Sequence, residues 1–210
     1  MNVLRVDASI QGPASASSAL ADLVTTELID ARPDATVVRR HLGAEPLPAD
    51  AWPSAIAAQF TPEADRTPAQ LEALALATSI ADELRSADVV VLALPLYNWG
   101  VSQHVKAWID LAIAGSSAGA ALLEGTPTVL LATRGGSYQP GTPKEGWDHS
   151  IGYLRRILGD VWQADLTVVE RELTLAGVNP AMDELIELGE LMKKQAEAAA
   201  IDAGRLLASR

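Results

Sequence analysis

The chain has 210 residues, a formal net charge of −11 and no cysteine, and 49% of its residues are hydrophobic. This length and composition predict a single well-packed domain that spans residues 1–210. The negative charge argues against binding to nucleic acid or to an anionic membrane surface. Without cysteine there is no disulfide, thiolate nucleophile or cysteine-ligated metal, and no apolar stretch is long enough for a secretory signal or a membrane span. We therefore expect a cytoplasmic protein that binds neither nucleic acid nor membrane.

Taken in order, the chain predicts five strands that alternate with five helices. Strands are predicted from short apolar or alternating runs, and helices from apolar residues that recur every three or four positions. The strands are 2–8, 36–41, 89–94, 128–133 and 166–169, and the helices are 20–28, 68–85, 102–113, 149–158 and 180–207. This order, with right-handed crossovers, predicts an α/β fold with a doubly wound parallel sheet. Residues 42–66 contain four prolines and show no clear period, and they are too long for a simple connection, so we expect this segment to be functional or a lid.

The third strand, 89–94, is an unbroken apolar run, which is typical of a strand buried on both faces. Pro95 ends its pairing, and Ser102 is placed to cap the next helix. Between them lie two aromatic rings and an amide, in Leu96, Tyr97, Asn98, Trp99 and Gly100. Because ligands of open α/β sheets bind at the carboxyl ends of strands, this loop is a candidate site.

The loop after the first strand is rich in serine, with Ser9, Ser15, Ser17 and Ser18 just before a helix. Hydroxyls and free backbone amides at a helix start form an anion site that the helix dipole reinforces. The loop has no lysine or arginine, so a phosphate there would be held by neutral donors. The alternative is an ordinary helix cap in a polar loop.

Two further loops complete the candidate site. Tyr97 and Trp99 would pack on a flat heteroaromatic ligand with Asn98 at its polar edge, or the two rings simply close the core. After the fourth strand, Thr133, Arg134, Gly135 and Gly136 allow backbone amides to approach a ligand closely, or form a plain turn. Three such loops on the strand ends of one sheet are more specific than any one of them.

Other chemistries lack their motifs. The serine loop is neither GxGxxG nor a Walker motif, and there is no GxSxG. Pro95-Leu96-Tyr97 stands where a receiver domain needs its phospho-accepting aspartate. The histidines His41, His104 and His149 show no metal-ligand spacing, so we expect no metal site.

The residues at these three loops resemble those of the FMN-dependent NAD(P)H azoreductases, also described as quinone reductases, of the flavodoxin-like superfamily. The matching stretches are Ser9 with residues 15–17, then 95–99, 133–138 and 148–159, and the similarity runs over about residues 3–203. The resemblance implies a flavodoxin-like five-stranded sheet in the order 2-1-3-4-5 with helices on both faces. It also implies that the FMN phosphate lies on Ser9, Ser15, Ala16 and Ser17, and the ring system beside Leu96, Tyr97, Asn98, Trp99, Thr133, Arg134, Gly135 and Gly136. Ala16 and Trp99 depart from the residues most frequent in the family.

The same resemblance implies a function. NADH or NADPH would reduce FMN, and a quinone or azo compound would then take two electrons in a ping-pong exchange. The chemistry lies on the cofactor, so no catalytic side chain is required, although Tyr138 is a candidate donor of a hydrogen bond or proton. The family implies a homodimer, with Trp52, Phe60 and Trp108 as candidate dimer or pocket walls. The alternatives are a flavodoxin-type electron carrier without nicotinamide turnover, and a flavin-free binding module on the same fold.

Overall fold

Five strands form one parallel sheet in a computed structural model that describes all residues, 1–210. They are β1 (Asn2–Asp7), β2 (Thr36–His41), β3 (Val89–Pro95), β4 (Pro127–Thr133) and β5 (Asp165–Arg171). Every neighbouring pair is parallel, and the order across the sheet is β2-β1-β3-β4-β5. The chain reverses its direction of winding between β1 and β3, which opens a crevice at the carboxyl ends of these strands.

Six α-helices cover the two faces of the sheet. They are α1 (Ala16–Ala31), α2 (Ala51–Gln59), α3 (Pro68–Arg85), α4 (Gln103–Ala114), α5 (Ile151–Arg155) and α6 (Ile186–Ala208). A π-helical turn, Arg156–Val161, continues α5, and a 3-10 turn, Pro180–Leu185, precedes α6. Helices α1 and α6 pack on one face of the sheet, and the other four pack on the opposite face. The doubly wound fold with helices on both faces and the strand order 2-1-3-4-5 are thereby confirmed.

Residues 42–66 showed no clear period in the sequence, but this segment contains a helix that was not predicted, α2, and a 3-10 turn, Glu63–Asp65. Ala51, Ala55 and Ala58 are buried at a spacing of four and three residues, which is a helical face made of methyl groups alone. Pro53 lies in the first turn, where a missing amide hydrogen costs the helix nothing. The segment packs against α3 and α4 and thickens that layer of the fold.

Trp108, expected at a dimer or pocket wall, lies in the core instead. It is 1% exposed and meets the equally buried Trp162 edge to face, with ring centroids 5.7 Å apart. Trp52 and Phe60 are on the surface, 44% and 85% exposed. None of the helices combines the length and the apolar character needed to cross a bilayer.

Candidate functional site

The carboxyl ends of β1, β3 and β4 converge on one cavity of about 180 Å³. All three loops predicted to form the site contribute to its wall, together with a fourth loop that follows β5. The lining residues are Ser9, Gln11, Ala16, Ser17, Pro95, Leu96, Tyr97, Thr133, Gly135, Thr174 and Leu175. A second cavity of about 480 Å³ shares Tyr97 and extends past Ile10 and Asn98 to the start of α4. No lysine or arginine lines either one.

The first turn of α1 supplies backbone donors to the smaller cavity. Ser15 caps the helix, because its Oγ accepts a hydrogen bond from the Ser18 N–H at 3.1 Å and its carbonyl accepts one from the Ala19 N–H at 3.0 Å. The N–H groups of Ala16 and Ser17 precede the first intrahelical bond and have no such partner. Both residues line the cavity, and Ser17 is only 1% exposed. Unpaired donors at a positive helix end, in a wall without cations, fit an anion such as a phosphate.

The loop after β3 is a tight turn with an unusual backbone. Tyr97 and Gly100 exchange two hydrogen bonds, of 3.2 Å and 3.0 Å, across Asn98 and Trp99. Both central residues have positive φ, 47° and 64°, as in a type I′ turn. Asn adopts this conformation readily, but a tryptophan in it costs about 1–2 kcal/mol. Strain of this kind persists only where the surrounding structure holds it in place.

The loop after β4 holds this strained turn. The His149 N–H donates to the Trp99 carbonyl at 2.9 Å, and the Trp99 ring meets Trp147 edge to face at 5.9 Å between centroids. Both indoles remain about half exposed. The second and third loops of the site are therefore a single packed unit.

The Tyr97 hydroxyl connects the second loop to the first. It lies 3.2 Å from Ser9 Oγ and accepts a hydrogen bond from the Ile10 N–H at 3.1 Å. The ring thus lies between the two cavities and forms a wall of each. An aromatic face at this place suits a flat ligand that extends from the helix start towards the turn.

Arg134 points its side chain into the protein. Its guanidinium pairs with Asp148 at 2.5 Å, Glu170 at 2.7 Å and Glu172 at 3.2 Å, and its side chain is 5% exposed. Burial alone would lower the pKa of Arg134, but the carboxylates outweigh burial and raise it. The backbone of Arg134 is also hydrogen-bonded, because its N–H donates to the Arg171 carbonyl at 2.8 Å and its carbonyl accepts from the Thr174 N–H at 3.1 Å. The buried cation therefore fixes the loop from below.

The two glycines of this loop differ in their surroundings. A Cβ on Gly135 would lie 2.7 Å from Leu175 Cδ1, whereas one on Gly136 would meet nothing closer than Lys144 Nζ at 3.5 Å. Gly135 lines the smaller cavity and Gly136 does not. The close contact at this loop is therefore between Gly135 and the loop after β5, and the predicted approach of a ligand to the glycine backbone stays a prediction.

The remaining predicted residues fall around the cavity. Ser15 lies behind the wall, with its Oγ 3.2 Å from Ser17 Oγ, and Asn98 lines only the larger cavity. Tyr138 is half-buried, with Lys144 Nζ 5.9 Å from its ring centroid and its N–H bonded to Glu172. Burial and the charge of Asp148 raise the pKa of Tyr138, so its hydroxyl keeps its proton at neutral pH.

Sequence reasoning did not find Gln11, Thr174 or Leu175. The loop after β5 turns towards the site because Leu173 takes a positive φ of 57° and the Leu175 N–H donates to the Gly135 carbonyl at 3.2 Å. No glycine or asparagine at position 173 signals that turn in the sequence.

A sheet of this order, with free N–H groups at a helix start and an aromatic wall at its switch point, defines a flavodoxin-like protein. The family model described as flavodoxin-like fold matches residues 1–188. Two relatives are named FMN-dependent NADH:quinone oxidoreductase, one from Frankia alni and one from Streptomyces avermitilis. Each is 37% identical to this chain, the first over 203 aligned residues and the second over 215. These alignments cover 94% and 99% of this chain and 96% and 97% of the relatives. The chain belongs to the family of FMN-dependent NADH:quinone oxidoreductases, and the resemblance read from its loops is confirmed.

Solved structures agree on the fold. An azoreductase from Bacillus anthracis str. Sterne superposes with a TM-score of 0.78 at 22% identity and covers 98% of this chain and 99% of its own. An FMN-dependent NADH-azoreductase from Bacillus anthracis str. Ames Ancestor, in complex with FMN, gives a TM-score of 0.73 at 18% identity, with 97% and 99% covered. At these identities the likeness supports the architecture alone.

Proposed function

We propose that this chain is an FMN-dependent oxidoreductase that transfers two electrons from NADH or NADPH to quinones and azo compounds by a ping-pong mechanism. One observation carries the proposal: a single cavity joins the free N–H groups of Ala16 and Ser17 to the Tyr97 ring and the Gly135 backbone. A phosphate group and a flat ring system on one ligand match these two ends. The names of the relatives support FMN as the cofactor, NADH as the donor and a quinone as the acceptor.

The residues of the cavity fit FMN in two parts. We assign the phosphate to Ser9, Ser15, Ala16 and Ser17, where unpaired backbone donors replace a cationic side chain. We assign the ring system to Leu96, Tyr97, Asn98, Trp99, Thr133 and the backbone of Arg134, Gly135 and Gly136. When bound, FMN supplies the hydride and electron chemistry, while the protein binds and orients it. No nucleophile or metal is needed from the chain.

Tyr138 is proposed as a hydrogen-bond donor to the acceptor. It stands on the loop that carries Gly135 and Gly136, and it is protonated at neutral pH, since burial raises its pKa further above the ordinary value of about 10. A protonated phenol donates to a quinone oxygen or an azo nitrogen that gains negative charge.

A homodimer in the cytoplasm, where NADH is supplied, is part of the same proposal. Apolar side chains remain exposed around the start of α6, at Val178, Leu185, Ile186, Leu188 and Leu191. Phe60 on the other face of the sheet is the most exposed large apolar residue. Exposed apolar groups of this kind mark contact surfaces between proteins. Light scattering on the purified chain tests the dimer, with twice the mass of one chain as the expected result.

The function is tested by flavin loading and turnover. Apoprotein titrated with FMN is expected to bind it and turn yellow, and anaerobic NADH or NADPH is then expected to bleach the flavin absorbance. Steady-state rates with 1,4-naphthoquinone and with an azo dye should give parallel double-reciprocal lines if the exchange is ping-pong. FMN-loaded protein that oxidises neither nicotinamide would refute the enzyme and favour an electron carrier. A chain without FMN affinity would favour the flavin-free module.

A further inference from the structure

A buried ion pair lies directly beneath the serine loop. Arg5 and Asp7 stand at the carboxyl end of β1, 5% and 0% exposed. The guanidinium binds the carboxylate through two hydrogen bonds, from Nε at 2.8 Å and from Nη2 at 3.1 Å. Arg39 of β2 adds a third, at 2.8 Å. This cluster uses none of the groups assigned so far to the flavin.

The same guanidinium also binds the start of α1. Its Nη2 donates to the Ser18 carbonyl at 3.2 Å, and its Nη1 donates to Asp22 at 2.6 Å and lies 3.4 Å from the Thr25 hydroxyl. Ser18 belongs to the turn whose free N–H groups face the cavity, and its own N–H is held by the Ser15 cap. Arg5 is therefore the side chain that ties the end of β1 to this turn, in a planar fork that fixes distance and angle together.

Arg5 also balances negative charge near the cavity, because it pairs with Asp7. Asp7 lies two residues before Ser9, which lines the cavity, and a buried carboxylate there repels an anion. Burial alone would raise the pKa of Asp7, but hydrogen bonds from Arg5 and Arg39 outweigh it and lower the pKa to about 2. Asp7 therefore stays ionised at neutral pH, and the cations that pair with it are Arg39 and Arg5, the second of which it shares with the exposed Asp22.

We propose that Arg5 is a positioning residue for the FMN phosphate. It holds the first turn of α1 in register with the end of β1, and it cancels the charge of Asp7 beneath the anion site. The inference rests on the proposed function, because it takes FMN as the ligand of the cavity. By this proposal Arg5, which lines neither cavity, increases the preference of the site for FMN over a flavin without a phosphate.

The test compares FMN with riboflavin, which carries the same ring system without the phosphate. Both dissociation constants are measured by flavin fluorescence on the full chain, as wild type and as the Arg5→Lys and Arg5→Met variants. We expect FMN to bind about tenfold more weakly to Arg5→Met, with little change for riboflavin, since one lost charge-assisted contact corresponds to about that factor. Lysine keeps the charge but not the fork, so Arg5→Lys should fall between wild type and Arg5→Met.

Arg40→Met is the matched control. Arg40 stands on β2 and pairs with Glu83, away from both cavities, so its variant should keep the wild-type ratio of FMN to riboflavin affinity. A ratio unchanged in both Arg5 variants, or an equal loss of both flavins, would overturn the inference while leaving the proposed function intact. If Arg5→Met does not fold, the ratio in Arg5→Lys decides. Wild-type protein that binds neither flavin would overturn the proposed function and this inference with it.

Discussion

Two adjacent glycines offer a matched test of the site. Neither Gly135 nor Gly136 has a positive φ, so an alanine at either position adopts the native backbone. Each substitution gains about 0.4–1 kcal/mol of stability by restricting the unfolded chain. The two differ only in what the new methyl group meets, which is Leu175 at 2.7 Å for position 135 and an ordinary contact at 3.5 Å for position 136.

The size of the difference follows from that contact. Forcing an extra methyl into a packed wall costs about 1–3 kcal/mol. Leu175 is 37% exposed and able to turn aside, so the lower part of this range applies. We expect Gly135→Ala to be less stable than Gly136→Ala by about 1 kcal/mol. Because Gly135 and Leu175 both line the cavity, the new methyl and the displaced leucine should also weaken FMN binding, by about tenfold.

Urea unfolding measures the first quantity and FMN titration the second. The double variant Gly135→Ala/Leu175→Ala removes the clashing atoms and is expected to recover much of the FMN affinity. Equal stability and equal affinity for the two glycine variants would show that the loop after β5 does not constrain Gly135. A double variant no better than Gly135→Ala would show that the contact with Leu175 is not the cause.

Four further variants test other contacts. Ser17→Asp places a carboxylate beside the proposed phosphate position, and like charges about 4 Å apart near a protein surface repel by about 4 kcal/mol. Calorimetry should therefore show FMN binding at least about 100-fold more weakly. The affinity for riboflavin, which has no phosphate, should fall much less. The pKa of Asp7 is about 2 in the folded protein and about 3.9 in the unfolded chain, so its ionisation adds about 2 kcal/mol to the free energy of unfolding above about pH 4. This contribution is lost as the pH falls towards 2. Urea unfolding at several pH values should show this decline in wild type and not in Asp7→Asn. Arg134→Met removes the cation shared by Asp148, Glu170 and Glu172, of which only Glu170 keeps another, Arg155 at 3.5 Å, and urea unfolding at pH 7 should show a loss of about 3 kcal/mol. Tyr138→Phe should leave flavin reduction by NADH unchanged and slow reoxidation by a quinone about tenfold in stopped flow; an unchanged rate would assign the ring to packing.

The fold was predictable because its strands are read from composition. Strand β3 is buried at every position, as its unbroken apolar run predicts, and β4 follows the same rule. Strand β1 is also buried, but it buries the charged Arg5 and Asp7, which its composition does not predict. Helix α2 was missed because alanine carries a weak apolar signal and the four prolines around it favour a loop. Its helical face consists of methyl groups that become visible as a face only when α3 and α4 cover them.

The three loops of the site were predictable in position, because parallel strands deliver their carboxyl ends to one edge. The direction of individual side chains was not. Arg134 turns inward to pair with Asp148, Glu170 and Glu172. These partners lie 14 to 38 residues further along the chain, so the local sequence does not show this orientation. The wall at Leu175 depends on a left-handed residue, Leu173, that nothing in the local sequence requires.

Arg5 and Arg134 share one arrangement. Arg5 lies beneath the first loop and Arg134 beneath the third, and each turns its guanidinium to carboxylates rather than to the cavity. The charges therefore set the positions of the loops, and the wall that faces the ligand keeps neutral N–H and hydroxyl groups. Such donors, held in place by buried ion pairs, bind an anion without a counterion that must first be displaced. By this arrangement a chain with a net charge of −11 would hold a phosphate at the proposed site.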